Sequence, residues 1–143
     1  MKITNVEVFP IYPPLAKRYR DNPARNGHEH RVAAKVTTDI GITGFGDFDG
    51  SDPPASETFE PLIDTNPFNY IGSDLNPAVV MAMYDIMGKY LEIPAYKLIG
   101  QKRRDGVSSA AWCWGGPTKE ELTDDIIRAT NDGYTIFLSL IHI

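Results

Sequence analysis

The order of residues from Val107 to Phe137 constrains this chain more than any other feature. Val107 to Trp114 is a short apolar strand. Thr118-Lys119-Glu120-Glu121 has the form of a capping box and opens a helix through Leu122, Ile126 and Ala129, which Gly133 ends. Thr135-Ile136-Phe137 then begins another strand. Strand, helix, strand is the opening of a parallel α/β unit, and a parallel sheet is normally covered on both faces. The chain therefore reads as one domain followed by the start of a second that does not close.

The residues ahead of that unit carry a different pattern. Residues 2 to 12 read as a first strand, with Val6 and Val8 on one face and Glu7 on the other, stopped by Pro10 and Pro13-Pro14. Leu15 to Glu29 is polar and without periodicity, a mobile surface loop. Arg31 to Thr38 alternates, Val32, Ala34 and Val36 inward against Arg31, Lys35 and Thr37 outward, as a half-buried antiparallel strand does. Asp39-Ile40-Gly41 turns the chain into a third strand, Ile42 to Phe48, whose Gly44 and Gly46 imply close backbone approach or a bulge. A second loop, Asp49 to Ser56, is rich in Asp, Pro and Ser. Behind Asn76-Pro77, an N-cap and a first-turn proline, Val79, Val80, Met83, Met87, Tyr90 and Leu91 recur at helical spacing. Gly88 inside that helix costs about 1 kcal/mol relative to Ala, so another backbone is expected against it. The fold class is an α+β domain, a three-stranded antiparallel meander plus helices, followed by a first β-α-β piece.

Composition limits the functional classes. At 143 residues with 42% hydrophobic and 23% charged residues, a chain hides roughly 68% of the surface its unfolded form exposes, so folding needs neither metal nor disulfide. The single Cys113 points to a reduced, cytoplasmic setting. The N-terminus alternates polar and apolar residues rather than forming a signal peptide, and no stretch approaches the roughly 18 apolar residues of a membrane span. A net charge of −5 argues against nucleic acid. The two basic clusters, Lys17-Arg18-Tyr19-Arg20 and Lys102-Arg103-Arg104, are short.

Three stretches in order carry a family resemblance: residues 1–8 (MKITNVEV), residues 36–47 (VTTDIGITGFGD) and residues 82–89 (AMYDIMGK), the last continuing as 93–100 (IPAYKLIG). Together they resemble the N-terminal capping domain of the mandelate racemase and muconate lactonizing group of the enolase superfamily. Asp47 stands where that family more often has Glu, and the stretch from Gly50 to Asn76 is shorter than usual. The resemblance implies a capping domain over residues 1–103 and, over 104–137, the start of an incomplete TIM-type (β/α) barrel. It also implies Mg²⁺ held by barrel carboxylates, a small-molecule carboxylate substrate, acid-sugar dehydration as the chemistry, and a homo-oligomeric parent enzyme. A racemase or cycloisomerase of the same superfamily, and a non-catalytic α+β binding module, are the alternatives.

No catalytic base and no metal ligand is expected within the chain. Leu138-Ser139-Leu140-Ile141-His142-Ile143 occupies the place of the family's Lys-x-Lys motif, and reads as the translation of CTG TCT CTT ATA CAC ATC, the start of a transposase adapter used in sequencing libraries. Residues 138–143 are therefore taken as foreign to the protein. Substrate-binding candidates are Tyr19, Arg20 and His28 on the first loop, in the company of Arg18 and His30, and Trp112 at the end of the first barrel strand, the face where barrel active sites lie. Asp47, Asp49 and Asp52 read as turn-forming aspartates rather than a metal site.

Overall fold

A computed structural model of the chain describes residues 1–15, 29–50, 52–113 and 118–139. The chain divides into two compact units, Met1–Gln101 and Lys102–Ile143. In the first unit β1 (Ile3–Ile11), β2 (Arg31–Thr38) and β3 (Thr43–Asp49) form an antiparallel sheet in the order β1-β2-β3. The central strand is the one with the cleanest alternation. Val32, Ala34, Val36 and Thr38 are buried, whereas Arg31, Ala33, Lys35 and Thr37 are half-buried on the other face. The buried Thr38 hydroxyl donates to the carbonyl of Ile42 at 2.8 Å. Gly41 turns the chain at φ 82, where glycine meets no steric penalty. Pro10 does not stop β1 but lies within it, opposite Val32. An edge strand accepts such a residue because only one side of its backbone needs a partner. Leu15, expected in a surface loop, is buried, and the amide of Glu29 donates to the carbonyl of Pro13 at 3.0 Å.

One helix, α1 (Pro77–Tyr90), covers the sheet. The Asn76 side chain accepts from the amide of Ala78 at 3.1 Å and Pro77 opens the first turn. Val79, Met83 and Met87 are buried as their spacing indicates, but so are Ala78, Ala82 and Ile86, while Tyr90 and Leu91 are 51% and 44% exposed. The glycines of β3 account for the difference. A Cβ on Gly44 would overlap the carbonyl oxygen of Ala82, and one on Gly46 that of Ala78. Helix and strand backbones thus meet along small residues, which brings the alanine face of α1 onto the sheet. Two 3₁₀ helices, Ser56–Leu62 and Pro67–Tyr70, add Phe59 and Leu62 to the same core.

The helix ends on a turn in which the amide of Glu92 donates to Lys89 O at 3.3 Å and that of Ile93 to Gly88 O at 2.9 Å. This double bond pattern places Glu92 at the left-handed position, φ 55, usually given to glycine. Gly88 meets its expected neighbour here, since a Cβ on it would lie 2.9 Å from the carbonyl oxygen of Ile93. Glu92→Gly removes the left-handed strain, and we expect it to raise stability by about 0.5–1 kcal/mol in urea denaturation. A loss of stability would contradict the assigned turn.

After α2 (Tyr96–Ile99), the second unit pairs β4 (Ala111–Trp112) in parallel with β5 (Phe137–Leu138), with α3 (Lys119–Asn131) between them in sequence. The capping box is present, Thr118 Oγ1 accepting from Glu121 N and Glu121 accepting from Thr118 N. Gly133, at φ 91, ends α3. Ala111, Cys113 and Ala129 form a small core beneath Leu122, Ile126 and Tyr134. Both strands are shorter than expected. Val107 is 75% exposed, and β5 starts at Phe137 rather than Thr135, because a ladder reaches only as far as its partner. The backbone of Leu138, first of the six residues read as foreign, accepts from Cys113 N at 2.8 Å.

Candidate functional site

The meander brings the end of β1, the start of β2 and the end of β3 into one row, Ile11 facing Arg31 and Arg31 facing Asp49. The segment between β1 and β2 leaves and returns at this rim, and the chain after β3 departs from it. The two segments read as loops in the sequence, Leu15 to Glu29 and Asp49 to Ser56, therefore start from one end of the sheet. Their stem is tied at several points. The Tyr12 and His30 rings meet edge to face, 5.3 Å between centres at 86°. Gly50 N donates to His30 O at 3.2 Å. Arg31 Nε donates to Asp47 Oδ2 at 2.5 Å, both side chains a third or more exposed, so the pair contributes up to about 1 kcal/mol and serves mainly to fix the two groups.

Tyr19, Arg20 and His28, with Arg18, lie outside the described residues. His30 is exposed at the stem, and Trp112 is half-buried in β4, with buried Ala111 and Cys113 on either side. Asp47 is no turn residue: it sits on β3 and is held by Arg31. Tyr12 is a rim residue that the sequence reading passed over, because it looks like the dull end of a strand before Pro13-Pro14. Among the described residues no three His, Cys, Asp or Glu side chains converge as a metal site would require. They do not fit the magnesium ion that the resemblance implies. Nor is any helix of the described residues long and apolar enough to cross a membrane.

No family model matches the chain. Among curated proteins it is 30% identical, over 164 aligned positions covering 94% of the chain and 35% of the relative, to a D-galactonate dehydratase family member of Oceanicola granulosus. It is 29% identical over 124 positions, 70% of the chain and 34% of the relative, to an N-succinyl-L-Arg/Lys racemase of Bacillus cereus. The chain spans about a third of the length of these curated relatives. Among solved structures, an isomerase of Streptomyces coelicolor shares the fold with a TM-score of 0.74 at 23% identity, over 96% of this chain and 45% of that one. A member of the enolase superfamily from Roseovarius nubinhibens, solved with magnesium, does so with a TM-score of 0.70 at 23% identity, over 96% of this chain and 42% of that one. These relatives and structural neighbours are enolase-superfamily proteins of the mandelate racemase and muconate lactonizing type, and the chain shares their fold over the part that it spans.

Proposed function

We propose that this chain forms the cap and barrel entry of an enzyme that removes the proton next to a substrate carboxylate, and that the reaction is dehydration of an acid sugar. The observation that carries this reading is the shared rim, where the two chain segments beside Ile11, Arg31 and Asp49 are attached at one end of the sheet. A cap needs that geometry to lay two segments over a substrate. The name of the Oceanicola relative supports the substrate class. Chemically, a proton leaves carbon 2, hydroxide leaves carbon 3, and the resulting enol becomes a 2-keto-3-deoxy acid. The α-proton of a carboxylate is a very weak acid, so a nearby base and a positive charge on the developing enolate are both needed. On this reading we assign the base and the magnesium carboxylates to the part of such proteins that this chain does not span. Within this reading Arg20, Tyr19 and His28 bind the carboxylate and hydroxyls, and Trp112 walls the pocket. The enzyme works in the cytoplasm, where Cys113 stays reduced.

The uninterrupted reading frame, taken from genomic DNA and expressed whole, is expected to convert at least one acid sugar of a panel to a 2-keto acid and to lose this activity in EDTA. The 143-residue chain alone is expected to show neither turnover nor saturable micromolar Mg²⁺ binding in calorimetry. Solvent deuterium entering the α-position without any keto acid would replace dehydration by racemisation. No exchange and no product on any carboxylate tried would reject the proposal.

A further inference from the structure

Asp85 and Lys89 belong to the helical stretch that carries the resemblance, yet the proposed reaction gives them no task. We infer that this pair closes the free edge of β3 against a strand from a second copy of the chain. As the outer strand in the order β1-β2-β3, β3 turns one row of backbone groups away from β2. Such a row is a template for pairing with another chain. Phe45 N on this edge donates to Asp85 Oδ2 at 2.9 Å, and Lys89 Nζ donates to Thr43 O at 2.7 Å. The two side chains are joined at 2.6 Å, and the Lys89 ammonium lies 5.5 Å from the centre of the Phe45 ring.

The spacing explains how a helix can do this. Four residues of α-helix rise about 6 Å, and two residues of strand about 6.6 Å, so a carboxylate and an ammonium one turn apart match one repeat of the edge. Gly44 and Gly46 let α1 lie close enough for both to reach. The polarity also fits, an acceptor meeting the N–H and a donor meeting the C=O. The opposite edge is closed differently: Ile3 N donates to Thr65 O at 2.8 Å and Asp64 N to Ile3 O at 2.9 Å. The occupant excluded at β3 is another β3. Two identical antiparallel edges would satisfy each other's backbone groups, and Phe45 and Phe48, 56% and 46% exposed, would lie at the join.

An ordinary helical ion pair is the competing account, and a charge swap separates the two. Asp85→Lys with Lys89→Asp keeps opposite charges one turn apart, but lysine cannot accept from Phe45 N and aspartate cannot donate to Thr43 O. The whole chain carrying the swap, and Asp85→Ala/Lys89→Ala beside it, are compared with the unsubstituted chain by sedimentation equilibrium and amide exchange, with protection of α1 amides as the check on folding. Self-association roughly tenfold tighter is expected in both, together with growing protection of amides in Thr43–Asp49 as concentration rises. Lys89→Met, which keeps the stem over Phe45 and removes one donor, should shift the same way by less, and it decides the matter if the double variants do not fold. Unchanged association in the folded variants, or tighter association without added protection of Thr43–Asp49, overturns the inference. The outcome does not depend on what reaction the enzyme performs.

Discussion

Gly46→Ala is expected to unfold the first unit or to weaken it by about 3 kcal/mol or more, although it adds a single methyl group. The added Cβ would overlap the carbonyl oxygen of Ala78 and lie 2.7 Å from Met81 Cβ and 2.8 Å from Ala82 N. Backbone atoms cannot rotate away as a side-chain tip can, so α1 would have to lift from β3 and the core beneath it would loosen. Gly100→Ala is the control. Nothing lies within 4 Å of a Cβ there, and its φ of 169 is extended backbone that any residue adopts, so almost no effect is expected. Amide exchange of α1 reads the difference. If Gly46→Ala costs no more than Gly100→Ala, the helix does not rest on the strand as described.

Ile86→Ala is expected to cost about 2–5 kcal/mol, a large share of the 5–15 kcal/mol that holds a typical domain together. Ile86 is fully buried and its Cγ1 lies 2.7 Å from where a Gly44 Cβ would be, so it fills the groove that the glycine opens. Ile86→Val should cost only about 0.5–1.5 kcal/mol, because one methyl leaves a smaller void. Equal losses for the two variants in urea denaturation would mean that a change of helix packing, not cavity volume, sets the cost.

Much of the fold was legible because single residues announce it. The alternation of Arg31–Thr38, the glycines at 44, 46 and 88, Asn76-Pro77 and the Thr118-x-x-Glu121 box each have a local cause, and each is found in place. The core positions Phe59 and Leu62 were not legible, since a 3₁₀ segment with Pro61 inside it shows neither the strand period nor that of an α-helix. Residue numbers in most β1–β2 pairs add to 42, as for Val6 with Val36 and Val8 with Ala34, and this register carries on to set Tyr12 beside His30. That contact depends on register, which no single strand reveals. Nothing local marks Asp85 and Lys89 either, since their partners, Phe45 and Thr43, stand 40 and 46 residues away. The candidate site was the least legible part, because Tyr19, Arg20 and His28, three of its four proposed residues, fall in a stretch of sequence where charge and aromatic content follow no period, and lie outside the described residues.

The bond between Pro13 and Glu29 makes the sheet indifferent to what is spliced between its first two strands. The ends of the intervening stretch are held by backbone and ring contacts that involve none of residues 16–28. The entropy of closing a connection grows only with the logarithm of its length, so doubling that stretch costs about 0.6 kcal/mol. An insert there can therefore be lengthened, shortened or replaced at little thermodynamic cost while the three strands keep their register.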